Sequence, residues 1–275
     1  RRAQKQKYLM LQIDMGLGKT IMVLTAARYL LDRFEIRRLL VIAPLLVAEE
    51  TWPEELESWE HTRPITYEVL TGTAERREAR ARIDAEVHII NRENLPWLVE
   101  FWGDDWPYDA AAIDEISGFK NPARKTKPTK KAVEEALREE ERLLAKGIAN
   151  PKVKVQRFDT RFGAFCKIRK KLTWVIGMTG TPAPNGLIDL WSQYYMLDQG
   201  ERLGTSFSAF RDRWFDSDYM KYKWTPRSYA FDEIMGLVKD ITISMDSADY
   251  LELPPRVDIP VMVHLSDKQM KDYKR

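Results

Sequence analysis

The sequence predicts an α/β fold, a doubly wound, mainly parallel sheet with helices on both faces and a basic insertion. Three observations predict it. Apolar runs and helical patterns alternate over about 190 residues. The apolar runs are near-continuous, as in strands covered on both sides. The segments rich in glycine, acids or hydroxyls each follow the C-terminal end of such a run, where open α/β sheets bind ligands.

Tyr8–Ile13 reads as the first strand and Lys19–Arg33 as the helix after it. Arg38–Ala43 (R-L-L-V-I-A) is a second strand, closed by Pro44. Glu49–Trp59 suits a helix, with Trp52, Leu56 and Trp59 on one face as core anchors. Thr66–Leu70 alternates as a third strand, and Thr71-Gly72 turns into a charged helix over Ala74–Arg82. Val87–Ile90, Ala110–Ile113 and Trp174–Gly177 are the fourth to sixth strands, with a helix near Asn94–Phe101. Leu187, Leu190, Trp191 and Tyr194 mark another helix by their spacing.

After Met196 the pattern changes. Short aromatic-rich helices, Phe207–Phe215 and Phe231–Leu237, lead to Ile241–Met245, then Leu253-Pro254-Pro255, an extended Val257–Leu265 and a terminal helix that Ser266 would cap. The expected organisation is a lobe over residues 1–200 and a helical and extended continuation over 201–275. The chain opens on Arg1-Arg2 and ends without a stop signal, so the expectation is a piece of a longer protein.

At 275 residues, 44% hydrophobic and 31% charged, the composition is that of a soluble globular chain. Its longest apolar stretch, Leu39–Ala48, is broken by Pro44 and too short to span a bilayer, so no membrane partner is expected. A single cysteine, Cys166, excludes an internal disulfide framework and suits a reducing compartment. His61, His88 and His264 are scattered, without zinc spacing, and read as structural. The net charge of +2 hides a segregation: residues 120–172 hold 17 Lys/Arg against 6 Asp/Glu, a net +11, leaving −9 elsewhere. Within them Asn121–Lys131 is basic and proline-bearing, and Ala132–Lys146 reads as an amphipathic helix stopped by Gly147. Such a block is expected to meet a polyanion, a solvated surface being the other reading.

The chemistry concentrates in Leu9–Thr20, L-M-L-Q-I-D-M-G-L-G-K-T. An apolar strand, the turn Gly16-Leu17-Gly18 and then Lys19-Thr20 opening a helix form the context of a phosphate loop. Glycines let successive N–H groups converge on phosphate oxygens, and the helix N-terminus adds positive potential. Lysine supplies a point charge for the terminal phosphates, and the threonine hydroxyl can ligate Mg2+. The first glycine of the full pattern is replaced by Ile13. Asp114 and Glu115 end the fifth strand, one placed to hold Mg2+ through its water shell and the other to orient and deprotonate water. Thr179, Gly180 and Thr181 follow the sixth strand, where the hydroxyls can bond the acidic pair or simply serve the turn around Gly180 and Pro182.

D-M-G-L-G-K-T, V-I-A-P with its Trp-bearing helix, I-D-E-I-S-G-F-K-N and G-M-T-G-T-P-A-P-N occur in the order found in the N-terminal motor lobe of Swi/Snf-type ATPases of helicase superfamily two, which the chain resembles over most of Leu9–Pro255. G-E-R-L-G and L-E-L-P-P are similar to compact bacterial and phage members. The resemblance implies a RecA-like P-loop NTPase lobe, ATP and Mg2+ as cofactors, and ATP-driven translocation on duplex DNA. By it Gly16 to Thr20 form the nucleotide site, Lys19, Asp114 and Glu115 the catalytic set, and Thr20 and Asp114 the metal ligands. Thr179 to Thr181 match the coupling motif, and Pro44, Lys120 and Asn121 fall near the DNA path. It also implies the cytoplasm of a bacterial or phage-infected cell, or the nucleus in a eukaryote. Three departures stand out. Ile116-Ser117 replaces Ala-His, residues 127–160 look inserted, and neither the upstream adenine motif nor a second RecA-like lobe with its arginine finger is in this sequence. A strand-separating or restriction-type motor, and a nucleotide-gated DNA-binding module with little turnover, are the alternative functions.

Overall fold

The computed structural model describes residues 1–119, 137–138, 142–143, 145–146, 160–181, 183, 186–219, 223–250, 266 and 269–270. Among the described residues seven strands form one sheet: β1 (Tyr8–Ile13), β2 (Leu39–Ala43), β3 (Tyr67–Val69), β4 (Val87–Asn91), β5 (Ala110–Ile113), β6 (Trp174–Thr179) and β9 (Thr242–Met245). Their order is β3-β4-β2-β5-β6-β1-β9, and every pairing is parallel. A separate ribbon pairs β7 (Phe215–Ser217) with β8 (Trp224–Pro226) in antiparallel fashion.

Side-chain alternation along each strand divides the core in two. Leu9, Leu11, Leu39, Val41, Ala110, Ala112 and Ile176 face the helices Lys19–Asp32 and Trp52–Ser58. Met10, Leu40, Ile42, Ala111, Ile113 and Val175 face Leu95–Trp102, Arg161–Ile168 and Leu190–Asp198. Both faces are therefore covered, which explains the lack of polar alternation in β2, β5 and β6, all fully buried. Among the described residues no helix is long and apolar enough to cross a membrane.

Several expectations shift. The sixth strand runs two residues further, to Thr179, so that hydroxyl is fixed by the ladder rather than free in a turn. Val47–Thr51 is a π-helical turn before the α-helix Trp52–Ser58, and Trp59 leaves that helix with extended backbone. Hence Trp52 and Leu56 are buried while Trp59 is 46% exposed and is no core anchor. Thr242–Met245 pairs with β1 and edges the main sheet, so residues on both sides of position 200 build it. The expected helix over 132–146, most of the basic insertion, Leu253-Pro254-Pro255 and the segment 257–265 lie largely or wholly outside the described residues.

G-E-R-L-G is a structural turn. Gly200 has φ +87°, and a Cβ there would stand 2.6 Å from the Gly204 carbonyl oxygen, so glycine is required. The buried Asp198 carboxylate accepts from the N–H groups of Gly200 (2.9 Å) and Arg202 (3.1 Å). Arg202 in turn donates to Asp240 at 2.8 Å, tying helix Leu190–Asp198 to the segment before β9.

His88 on β4 is wholly buried. Its Nε2 lies 3.2 Å from the Ile83 carbonyl, which can only accept, so Nε2 carries the proton and Nδ1 accepts from the Tyr108 hydroxyl at 2.7 Å. Burial, aided by the nearby Arg38 charge, lowers its pKa to about 4. The unfolded chain therefore takes up a proton between pH 6.5 and 4 that the folded chain refuses. Stability from this group is fully present above about pH 6.5 and falls by about 3 kcal/mol as pH drops through that window. Urea unfolding at pH 7, 5.5 and 4 measures this, and His88→Gln is expected to flatten that part of the slope.

Candidate functional site

Because the seven strands are parallel, their C-terminal ends share one rim, and the neighbours β5, β6 and β1 bring most of the expected residues together there. Ile13, at the position of the missing first glycine, is the buried last residue of β1 and pairs with Met245. The loop then turns through Gly16 (φ +83°) and Gly18 (φ +72°), both left-handed, which is why glycine stands at these positions. Gly18 caps the helix Lys19–Asp32, and its carbonyl accepts from the Met22 N–H at 3.1 Å. Leu17 packs against the core beneath. Lys19 Nζ folds back over the loop and donates to the carbonyls of Ile13 (2.7 Å) and Asp14 (3.1 Å). Thr20, half-buried, follows in the first helical turn.

Asp114 emerges from β5, one strand removed from β1 with β6 between them. Its N–H extends the ladder to the Ile42 carbonyl at 2.7 Å, and its Oδ2 accepts from Trp52 Nε1 at 3.0 Å. Burial raises its pKa above the usual carboxylate range and the Glu115 charge adds to this, while the Trp52 N–H and the Lys19 charge oppose it. The negative charge is thus costly where it sits, and a bound cation would favour it.

Glu115 adopts a left-handed backbone (φ +53°, ψ +56°), uncommon for a residue with a Cβ. Two hydroxyls hold its side chain. Thr179 donates to Oε1 at 2.7 Å, and Ser117, in the short helix Ile116–Gly118, donates to the same oxygen. Ser117, which stands where the resembled motif has histidine, thus bonds the acid two residues before it. The Thr181 N–H donates to Thr179 Oγ1 at 3.1 Å, and a Cβ built on Gly180 would come within 3.9 Å of Lys19 Nζ. Thr179, at the end of β6, therefore bonds Glu115, and Gly180 after it lies close to the lysine.

Pro44 lies at the same rim after β2, while Lys120 and Asn121 lie outside the described residues. Two contacts were not anticipated from the sequence. The Trp52 indole reaches Asp114, foreshadowed only by the tryptophan following V-I-A-P. Ser247 donates its N–H (2.9 Å) and hydroxyl (3.0 Å) to Asp14 Oδ2, which lowers the Asp14 pKa, and no local pattern announces a pairing so distant in the chain.

The Thr20 hydroxyl and the Asp114 carboxylate are hard oxygen donors of the kind that suits Mg2+. Among the described residues no cluster of three or more His, Cys, Asp or Glu could hold a metal ion.

Comparison with known proteins agrees with this architecture. The family model described as SNF2-related domain matches residues 1–275. A protein designated p41 from Acyrthosiphon pisum secondary endosymbiont phage 1 is 34% identical over 267 residues, 94% of this chain and 51% of that protein. The DNA excision repair protein ERCC-6-like of Mus musculus is 23% identical over 198 residues, 70% of this chain and 13% of that protein. Among solved structures, the Sulfolobus solfataricus SWI2/SNF2 ATPase core in complex with dsDNA has a TM-score of 0.60 at 23% identity, covering 97% of this chain and 46% of that one. The ATPase core domain from the same organism gives 0.59 at 23% identity, covering 99% and 47%. The chain spans about half the length of the phage protein and of these cores. With the family model matching throughout and the fold shared with these cores, the chain belongs to the SNF2-related domain family and has the RecA-like fold of the SWI2/SNF2 ATPase core.

Proposed function

We propose that this chain is the ATP-binding lobe of a DNA-dependent ATPase that translocates on duplex DNA. The observation that carries the reading is the convergence of Lys19, Asp114, Glu115 and Thr179 on one rim through three neighbouring strands. In this reading the N–H groups of residues 16–20 and the Lys19 ammonium bind the phosphates, Lys19 leaving the carbonyls of Ile13 and Asp14 to do so. Thr20 and Asp114 would hold Mg2+, which when bound neutralises charge on the phosphates. Glu115 takes a proton from water as its oxygen bonds to the γ-phosphorus, and the bond from that phosphorus to the β-phosphate oxygen breaks. Thr179 and Ser117, both on Oε1, leave Oε2 for that proton. A second lobe supplies the arginine finger, worth about 10³–10⁵ in rate in related enzymes.

Phosphate release by the full-length protein, with no DNA, single-stranded DNA and duplex DNA, tests the proposal. Duplex is expected to stimulate most, and residues 1–275 alone to bind ATP but turn over slower by about 10³-fold. Stronger stimulation by single strands, together with strand displacement, would favour the strand-separating motor. Robust DNA-stimulated turnover by residues 1–275 alone would contradict the need for a second lobe.

A further inference from the structure

We infer that Trp52 is a positioning residue for Asp114, holding one carboxylate oxygen so that the acid presents a fixed orientation to Mg2+. This rests on the functional reading above. Trp52 is fully buried, and a buried indole N–H needs an acceptor. It finds Asp114 Oδ2 at 3.0 Å, on an acid that lies immediately beyond its strand.

The local chain geometry is arranged for this contact. Between Pro44 and Trp52 the backbone makes a π-helical turn, Val47–Thr51, anchored by the Ala48 N–H on the Pro44 carbonyl at 2.8 Å. Relative to a continuous α-helix, the extra residue of a π turn rotates the succeeding helix by about 100°. Ala48, before Trp52, and Leu56, one turn after it, are buried in the same apolar cluster as the ring. The carboxylate is steered by a group on another element whose own rotamer is locked by packing. Outer-shell partners of this kind are typically worth about 10–100-fold in metal affinity or activity.

Trp52→Phe removes the N–H and keeps most of the packing; Leu56→Ala loosens the same helix without touching the hydrogen bond. Affinity for a non-hydrolysable ATP analogue is measured on the full-length proteins with Mg2+ and with EDTA, alongside thermal unfolding. The expected result is an unchanged affinity in EDTA for both variants. The gain in affinity produced by Mg2+ is expected to fall about 10-fold in Trp52→Phe and to stay at the wild-type value in Leu56→Ala. An unchanged gain in Trp52→Phe, or equal losses in the two variants, overturns the proposal and returns Trp52 to a packing role. If Trp52→Phe fails to fold, incorporation of 3-benzothienylalanine at position 52, a Trp isostere without the N–H, gives the same two readings. Lys19→Ala and Glu115→Gln serve as parallel controls. If both keep full ATPase activity the functional reading fails, whereas their inactivity with an unchanged Mg2+ response in Trp52→Phe removes only the role of Trp52.

Discussion

Replacing Lys19 by alanine in the full-length protein is expected to lower ATP turnover by about 10²–10³-fold or more, since a positioned charge is lost where negative charge develops. The fold should barely notice. Among the described residues the Lys19 ammonium bonds the carbonyls of Ile13 and Asp14, at 2.7 and 3.1 Å, in a half-buried loop at the rim where water can take its place. It occupies the first position of the helix Lys19–Asp32, where alanine is at least as good a helix former. Thermal stability should therefore change by no more than about 0.5 kcal/mol. Phosphate release and a melting curve on the same preparation separate the two effects. Turnover unchanged by Lys19→Ala would remove both motor readings, because hydrolysis would then not depend on this loop. Loss of folding would mean that the loop conformation depends on the ammonium more than its two hydrogen bonds indicate.

What the sequence made legible is what local pattern encodes. The strands were found because burial on both sides demands unbroken apolar runs, and the rim because phosphate chemistry demands glycine, lysine and hydroxyls at fixed offsets. Boundaries were less legible where tertiary contacts decide them. Thr179 belongs to β6 because β1 continues alongside it, Gln12 pairing with Thr179. Thr242–Met245 looks like any short β-branched segment until β1 offers it an edge. Trp52 and Trp59 share a spacing, yet one is buried and the other 46% exposed, because the helix ends between them at Ser58. Within the site, the residue types were readable but not their partners. Ser117 could be seen to replace a histidine, but its bond to Glu115 depends on the left-handed turn at Glu115 itself. Asp14 and Ser247 are linked only because β9 runs beside β1.

Glu115→Gln is expected to separate binding from chemistry. The amide carbonyl can take the place of Oε1 and accept from Thr179 and Ser117 as the carboxylate does, so the strained backbone at φ +53° keeps the contacts that hold it. What glutamine lacks is a basic oxygen. Removing a positioned general base typically costs about 10²–10⁴ in rate. Turnover should fall by that amount while affinity for ATP with Mg2+ stays within about threefold of wild type, since neither Lys19 nor Asp114 is altered. Two measurements on one preparation suffice, the affinity for ATP and the rate of phosphate release. Retained turnover would mean that water is activated elsewhere, and that the two hydroxyls hold Glu115 for structure alone. A parallel loss of affinity would mean that its charge serves in binding as well as in the chemical step. Tight binding with turnover gone would place Glu115 at the chemical step, on the oxygen that Thr179 and Ser117 leave open.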